Sequence, residues 1–207
     1  VFHVKQSAPT CPDVSRETSE KLTIFVDLLL KWSATINLVS RADLAHLWPR
    51  HVTDSLQLLP LLPTSPQTLV DLGSGGGFPG LVLAIATDWR VELVEADRRK
   101  AAFLREAVRA TGARAIVHAQ RIEDSDIPPA AVVTARALAP LPQLIALAAP
   151  KLLPDGICLF MKGRNVENEL TNARKEWHMV VRHVTSRTDP LAAILRITDI
   201  RRIPPKQ

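Results

Sequence analysis

Residues 68–80 read Thr-Leu-Val-Asp-Leu-Gly-Ser-Gly-Gly-Gly-Phe-Pro-Gly, and no other stretch limits the fold so closely. The apolar run around Asp71 has the length and composition of a buried strand. Four of the five residues after Leu72 are glycine, and Pro79 suits the first turn of a following helix. Glycine loses the most backbone freedom on folding, so such a run is costly unless the chain must turn left-handed or let a ligand approach closely. Strand, glycine loop and helix N-terminus together present backbone N–H groups to a ligand. A glycine-rich turn without a ligand is the competing reading.

The pattern G-x-G-x-x-G falls on Gly75, Gly77 and Gly80, and Glu95 follows about twenty residues on, as in a dinucleotide site. Two details pull away from a nicotinamide dinucleotide. Asp71 places a carboxylate at the strand end, where it would repel a pyrophosphate but suit a ligand carrying an ammonium group and a sulfonium. The glycines also begin at Gly73, so the fuller reading is D-x-G-x-G-x-G, typical of loops that bind S-adenosylmethionine (SAM). Glu95 ends the next expected strand, 90–95, and a carboxylate at that tip can accept from two ribose hydroxyls. A solvated strand-end acid is its alternative.

Composition narrows the class further. The chain has 207 residues, 46% of them hydrophobic, enough for one main core and a small appendage. No stretch is long enough to span a membrane and no secretory leader is visible, so a cytoplasmic protein without a membrane partner is expected. Cys11 and Cys158 are too few and too far apart for a zinc site or a disulfide scaffold, and no metal is expected. The net charge of +5 is unevenly placed: residues 162–207 hold ten basic residues against five acidic ones, while the rest of the chain is balanced. A basic C-terminal third is compatible with a polyanion such as RNA, or with an ordinary solvated surface.

Along the chain, residues 1–14 lack periodicity and read as a loose arm. Leu22, Phe25, Val26, Leu29 and Trp32 recur at helical spacing and predict an amphipathic helix over 15–33. A short helical stretch to Trp48 and a helix opening at Arg50, with Val52, Leu56 and Leu59 on one face, complete an N-terminal helical cap. A proline-rich linker at 60–66 follows. The expected division is therefore 1–66, arm and cap, and 67–207, a SAM-binding domain, together forming one structural unit. Helices are expected after Gly80, over 98–111, stopped by Gly112, over 141–153 and over 165–176. Strands are expected at 115–118, 131–135, 157–161, 177–185 and 191–198, with Arg201 and Arg202 in a tail. Alternating strands and helices predict a doubly wound α/β, Rossmann-like sheet with ligands at the strand carboxyl ends.

Several charged residues fall at those ends. Arg98, Arg99 and Lys100 open a helix, where cations oppose the dipole and so hint at an anionic partner, with a solvated cluster as the leading alternative. Arg121, Ile122 and Glu123 lie just past the third strand, where the adenine of SAM would sit. Arg136 ends the fourth strand. Enzymes that methylate exocyclic base amines often carry an acidic or amide residue, two prolines and an aromatic there, whereas this chain has Arg136-Ala-Leu-Ala-Pro140. An arginine can donate to guanine O6, a phosphate or the methionine carboxylate, and a salt bridge within the sheet edge is the alternative. Lys162 follows at the tip of the fifth strand, a position suited to phosphate or base contact, with an ordinary surface lysine as the alternative.

Taken together, these residues resemble the bacterial ribosomal RNA small subunit methyltransferase G family, also called glucose-inhibited division protein B. The matching pieces are Trp32 with Ile36-Asn37-Leu38, Arg50-His51 with Asp54-Ser55, Asp71 to Gly80, Glu95 with Arg99-Lys100 and Phe103-Leu104, Arg121 to Glu123, Arg136-Ala137, and Lys162-Gly163. The resemblance implies SAM-dependent methylation of guanine N7 in the 530 loop of 16S rRNA, with Gly73, Phe78, Glu95, Ile122, Glu123 and Arg136 contacting SAM. Asp71, Gly75 and Gly77 join them as cofactor-binding candidates. Asn37, His51 and Asp54 are expected to line the acceptor side, with Arg136, Asn37 and His51 as catalytic candidates. Arg99, Lys100 and Lys162 are expected to hold RNA phosphates. The partner is 16S rRNA or the small ribosomal subunit, and a monomer is expected. A small-molecule SAM methyltransferase, a nicotinamide-dependent oxidoreductase and a non-catalytic RNA-binding module are the competing classes.

Overall fold

The computed structural model describes residues 14–204. Cys11 and all but the last residue of the expected N-terminal arm lie outside them. Helix α1 (Arg16–Ser33) starts where Ser15 accepts a hydrogen bond from the Thr18 N–H. Its buried stripe is Leu22, Phe25, Val26 and Leu29, four of the five residues that the helical spacing selects, with Trp32 partly buried beside them. A 3-10 turn (Asp43–His46) and a wide π turn (Trp48–Val52) lead into α2 (Thr53–Leu56). The expected helix from Arg50 is thus a π turn followed by a single α turn. Within it Leu58, rather than Leu59, is fully buried.

Seven strands then form one sheet. They are β1 (Thr68–Leu72), β2 (Arg90–Val94), β3 (Ala115–His118), β4 (Ala130–Arg136), β5 (Leu152–Lys162), β6 (Trp177–Thr185) and β7 (Ala193–Arg202). The order is β3-β2-β1-β4-β5-β7-β6. The first five strands run parallel, and β7 enters antiparallel between β5 and β6. Helices α3 (Gly80–Ala86), α4 (Arg98–Thr111), α5 (Leu141–Ala148) and α6 (Val166–Ala173) connect them. This is the doubly wound arrangement expected of a SAM methyltransferase sheet.

The sheet separates two apolar clusters. One joins Leu22, Phe25 and Leu29 of α1 to Leu81 and Leu83 of α3, Phe103 and Leu104 of α4, and Leu69 of β1. The other joins Val70 and Leu72 of β1 to Leu144 and Ile145 of α5 and Leu170 of α6. Each fully buried leucine or phenylalanine contributes about 2 kcal/mol by leaving water. The N-terminal helices therefore share a core with the sheet.

The boundaries differ most from the sequence reading around Pro150 and at the end of β7. Helix α5 stops at Ala148, because Pro150 has no N–H with which to continue the α-helical ladder; a 3-10 turn (Ala149–Lys151) follows and β5 begins at Leu152. Arg201 and Arg202 lie in β7, paired with His178 and Trp177 of β6, rather than in a tail. A register shift between His178 and Val180, with Asp199 at φ 54°, lets the hairpin run on past its regular ladder.

Candidate active site

The loops after β1, β2, β3 and β4 surround a cavity of about 530 Å³. Gly73, Ser74, Gly75 and Gly76 form one wall. Glu95 and Lys100 follow from the β2 side, Ile122 and Glu123 from the β3 side, and Arg136, Ala137 and Leu138 from the end of β4. A second cavity, of about 320 Å³, lies beyond β4. Asp54 and Gln57 of the cap, Met161, Lys162 and Gly163 at the end of β5, Glu169 of α6, and Ser186 and Ile194 of the terminal hairpin line it. Arg136 and Ala137 line both cavities. Ala137 has φ 51°, a left-handed conformation that costs a residue with a Cβ about 1 kcal/mol or more, so the turn at this junction is held under strain.

The glycine loop is shaped by what lies on each side of it. Gly75, at φ 52°, donates its N–H to Glu95 Oε2 at 2.8 Å. Glu95 Oε1 accepts from the Asp97 N–H at 2.7 Å. Each carboxylate oxygen keeps further acceptor capacity, and the side chain stands on the cavity wall, so it can still receive ribose hydroxyls. Gly80 is required for another reason: a Cβ there would lie 2.5 Å from the Asp71 side chain.

Asp71 sits beneath the loop, not on the cavity wall. Strand alternation sends it to the α3 side, beside its register partner Thr134, whose hydroxyl donates to Asp71 Oδ1 at 2.7 Å. It is fully buried and Oδ2 has no hydrogen-bond partner among the described residues. Burial pushes its pKa up to about 6, while the Thr134 hydrogen bond and the Arg136 charge pull the other way. Gly77 likewise faces the core, where an added Cβ would press on Phe25 and Leu81 at 3.2 Å.

Arg136 gathers the cap onto the sheet. Its Nη1 donates to Arg50 O at 3.3 Å and to Asp54 Oδ2 at 3.4 Å, and its Nη2 lies 2.6 Å from His51 Nδ1. The guanidinium stands 5.0 Å over the Phe78 ring, and His51 stacks on the same ring at 4.9 Å. A guanidinium only donates, so His51 Nδ1 must accept and its proton resides on Nε2, 3.7 Å from Asp43 Oδ2. Burial first, then the Arg136 charge, pushes the His51 pKa down to about 4, with Asp43 opposing. At neutral pH His51 is therefore an uncharged acceptor whose lone pair is already engaged.

The other expected residues are less uniformly placed. Asn37 is exposed and outside both cavity walls, although its neighbour Leu38 lines the first. Phe78, Ile122 and Glu123 lie on the first wall as expected. Arg99 is exposed and donates to Thr35 O at 2.8 Å, tying α4 to the cap, while Lys100 lines the first cavity. Asp97 caps α4 by accepting from the Arg99 and Lys100 N–H groups, which supplies the negative charge that the cationic first turn lacks. Lys162 is nearly enclosed, pairing with Glu169 at 2.6 Å and donating to Ala139 O at 2.9 Å, so it faces the second cavity rather than open solvent.

The sequence reading missed the network behind Asp54. Thr188 and Gln57 both donate to Asp54 Oδ1, at 2.5 and 2.6 Å, and the Arg187 N–H donates to Gln57 Oε1 at 2.9 Å. It joins residues about 130 positions apart, and no local pattern marks it. Glu169 was also missed; it reads simply as the acidic first turn of a helix. Among the described residues no three potential metal ligands cluster, and no helix is long and apolar enough to cross a membrane.

Residues 18–191 match the family described as rRNA small subunit methyltransferase G. A ribosomal RNA small subunit methyltransferase G from Granulibacter bethesdensis is 55% identical over 98% of this chain and 100% of its own length. One from Gluconobacter oxydans is 56% identical over 92% of this chain and 98% of its own. Among solved structures, the O-methyltransferase from Bacillus cereus in complex with SAH superposes with a TM-score of 0.58 at 14% identity, covering 84% of this chain and 90% of that one. TYW2 from M. jannaschii in complex with AdoMet superposes at 0.57 and 13% identity, covering 82% and 80%. At these identities the two structures speak for the fold alone.

Proposed function

This chain belongs to the rRNA small subunit methyltransferase G family, and on that premise we propose how its geometry moves a methyl group from SAM to N7 of a guanosine in the 530 loop of 16S rRNA. The observation that carries the proposal is the position of Arg136 on the shared wall of two cavities. The first holds SAM, and its volume suits a ligand of that size. Gly73 and Gly75 leave room for the methionine end, Glu95 receives the ribose hydroxyls, Ile122 and Glu123 border the adenine, and Phe78 and Lys100 close the wall. Asp71 and Gly77 contribute from below, by holding the loop in shape. The second cavity receives the guanine.

SAM supplies a sulfonium methyl already activated by positive charge. Guanine N7 offers a lone pair and has no proton to lose, so the protein needs alignment more than a base. Arg136 donates toward guanine O6 or a phosphate while Phe78, His51 and Asp54 fix its position. His51 is a positioning residue, since its Nδ1 already serves Arg136. Methyl transfer moves positive charge from sulfur to the base, and Asp54 and Glu169 on the second wall stabilise the cationic product. Asn37, outside both walls, and Arg99 and Lys162, engaged within the fold, have weaker claims to contact substrate than Lys100.

The cap, described from residue 14, and the sheet domain that begins at residue 67 act as one folded unit, a reading supported by the core they share. The acceptor is 16S rRNA or the small subunit, met in the cytoplasm by a monomer that needs no metal. The test is transfer of labelled methyl from SAM to small-subunit particles from a strain lacking this protein, with nucleoside analysis. Label in 7-methylguanosine at one loop site is expected. SAM binding without label in RNA would move the acceptor to a small molecule.

A further inference from the structure

The terminal hairpin carries a charge arrangement that the methyl-transfer site does not use. On β6 and β7, Arg182 and Arg196 are register partners. Like charges directly opposite each other across an antiparallel pair destabilise it. Neither guanidinium has a hydrogen bond or ion pair among the described residues, Arg182 is exposed, and Val180, two residues before it on β6, is 59% exposed.

The position of this pair follows from the register. Met161, Ile194 and Val184 align across β5, β7 and β6, and both Met161 and Ile194 line the second cavity. Leu159, Arg196 and Arg182 form the row two residues further along each strand. Two residues along a strand is about 7 Å and keeps the same face of the sheet. The arginine pair therefore flanks the second cavity on the face where Met161 and Ile194 meet the cap. The hairpin also belongs to the segment 162–207, which holds ten basic residues against five acidic ones.

We propose that the β6–β7 face bearing Arg182 and Arg196 is a docking surface for RNA backbone phosphates, holding the strand whose guanine enters the second cavity. The inference rests on the reading of that cavity as the acceptor site. A phosphate between the two guanidinium groups removes the repulsion that the bare hairpin suffers, and bidentate donation suits arginine to that contact. Such contacts position the RNA without reading its sequence.

The test compares the wild type with Arg182→Ala/Arg196→Ala and with Arg182→Glu, the last of which creates an opposite-charge pair across the strands and should fold at least as stably. Methyl transfer to small subunits, filter binding of protein-free 16S rRNA at several salt concentrations, SAM affinity and thermal unfolding are measured together. Expected are a KM for subunits raised roughly tenfold, a salt slope of RNA binding reduced by about 1 to 2, and kcat and SAM affinity within about twofold of wild type. Unchanged KM and salt slope in both folded variants would overturn the proposal. A loss confined to assembled subunits, with protein-free RNA bound as before, would overturn it in favour of an acidic protein partner. Absence of transfer by the wild type would count against the methyltransferase reading, and the salt slopes would still decide whether this face binds phosphate.

Discussion

At the scale of single residues, the site depends on groups that touch no ligand. Gly80 is the clearest case, because a side chain there would meet the buried Asp71 at 2.5 Å. Gly80→Ala should cost about 3 kcal/mol in chemical denaturation and weaken SAM binding with it. Asp71 itself gives a pH signature. Its folded pKa is raised to about 6 from 3.8, chiefly by burial. Such a group contributes stability that is fully present below the unfolded value and is lost as pH rises through the folded one. Denaturation of the wild type and of Asp71→Asn between pH 4 and 8, each referred to its own stability at pH 4, should therefore show the asparagine variant gaining relative to wild type, with most of the gain reached by about pH 6 and little added above it. A constant difference across that range would mean that Asp71 does not titrate there.

At the scale of elements, the ends of β1, β2, β4 and β5 and the loops after them carry most of the groups that line the two cavities. Helix α4 illustrates the division between structure and site. Its first turn carries Arg98, Arg99 and Lys100, yet Asp97 accepts from two of their backbone N–H groups. Asp97→Ala should lower stability by about 1 kcal/mol, measured by thermal unfolding, and leave methyl transfer within a few fold. The glycine loop, the Glu95 offset and the alternation of strands and helices could be read from the sequence because each is a local pattern with its own period or spacing. Asp71 shows the limit: its strand position was plain, but which face it takes depends on which side α3 packs. Lys162 and Arg99 were open to being read as phosphate contacts because their partners, Glu169 and Thr35, come from other elements. The Asp54 network closes between the cap and the terminal hairpin, so only the folded chain brings its members together.

At the scale of the whole molecule, the fold brings the cap, the sheet and the hairpin together around one guanidinium. Arg136 meets Arg50 and His51 of the cap and Asp54 of α2, and stands between the cavities for cofactor and acceptor. Its side chain is mostly enclosed, so its removal also leaves Asp54 without its charged partner and should lower stability by about 2 kcal/mol. The measurement that tests this account most directly is single-turnover methyl transfer to small subunits by wild type and Arg136→Ala, with SAM affinity measured by calorimetry on the same preparations. With the variant kept well below its unfolding temperature, the rate should fall roughly 100-fold while SAM affinity falls much less. A variant that transfers methyl at the wild-type rate would show that the junction between the cavities does not align the reaction, and would contradict the assignment of the two cavities.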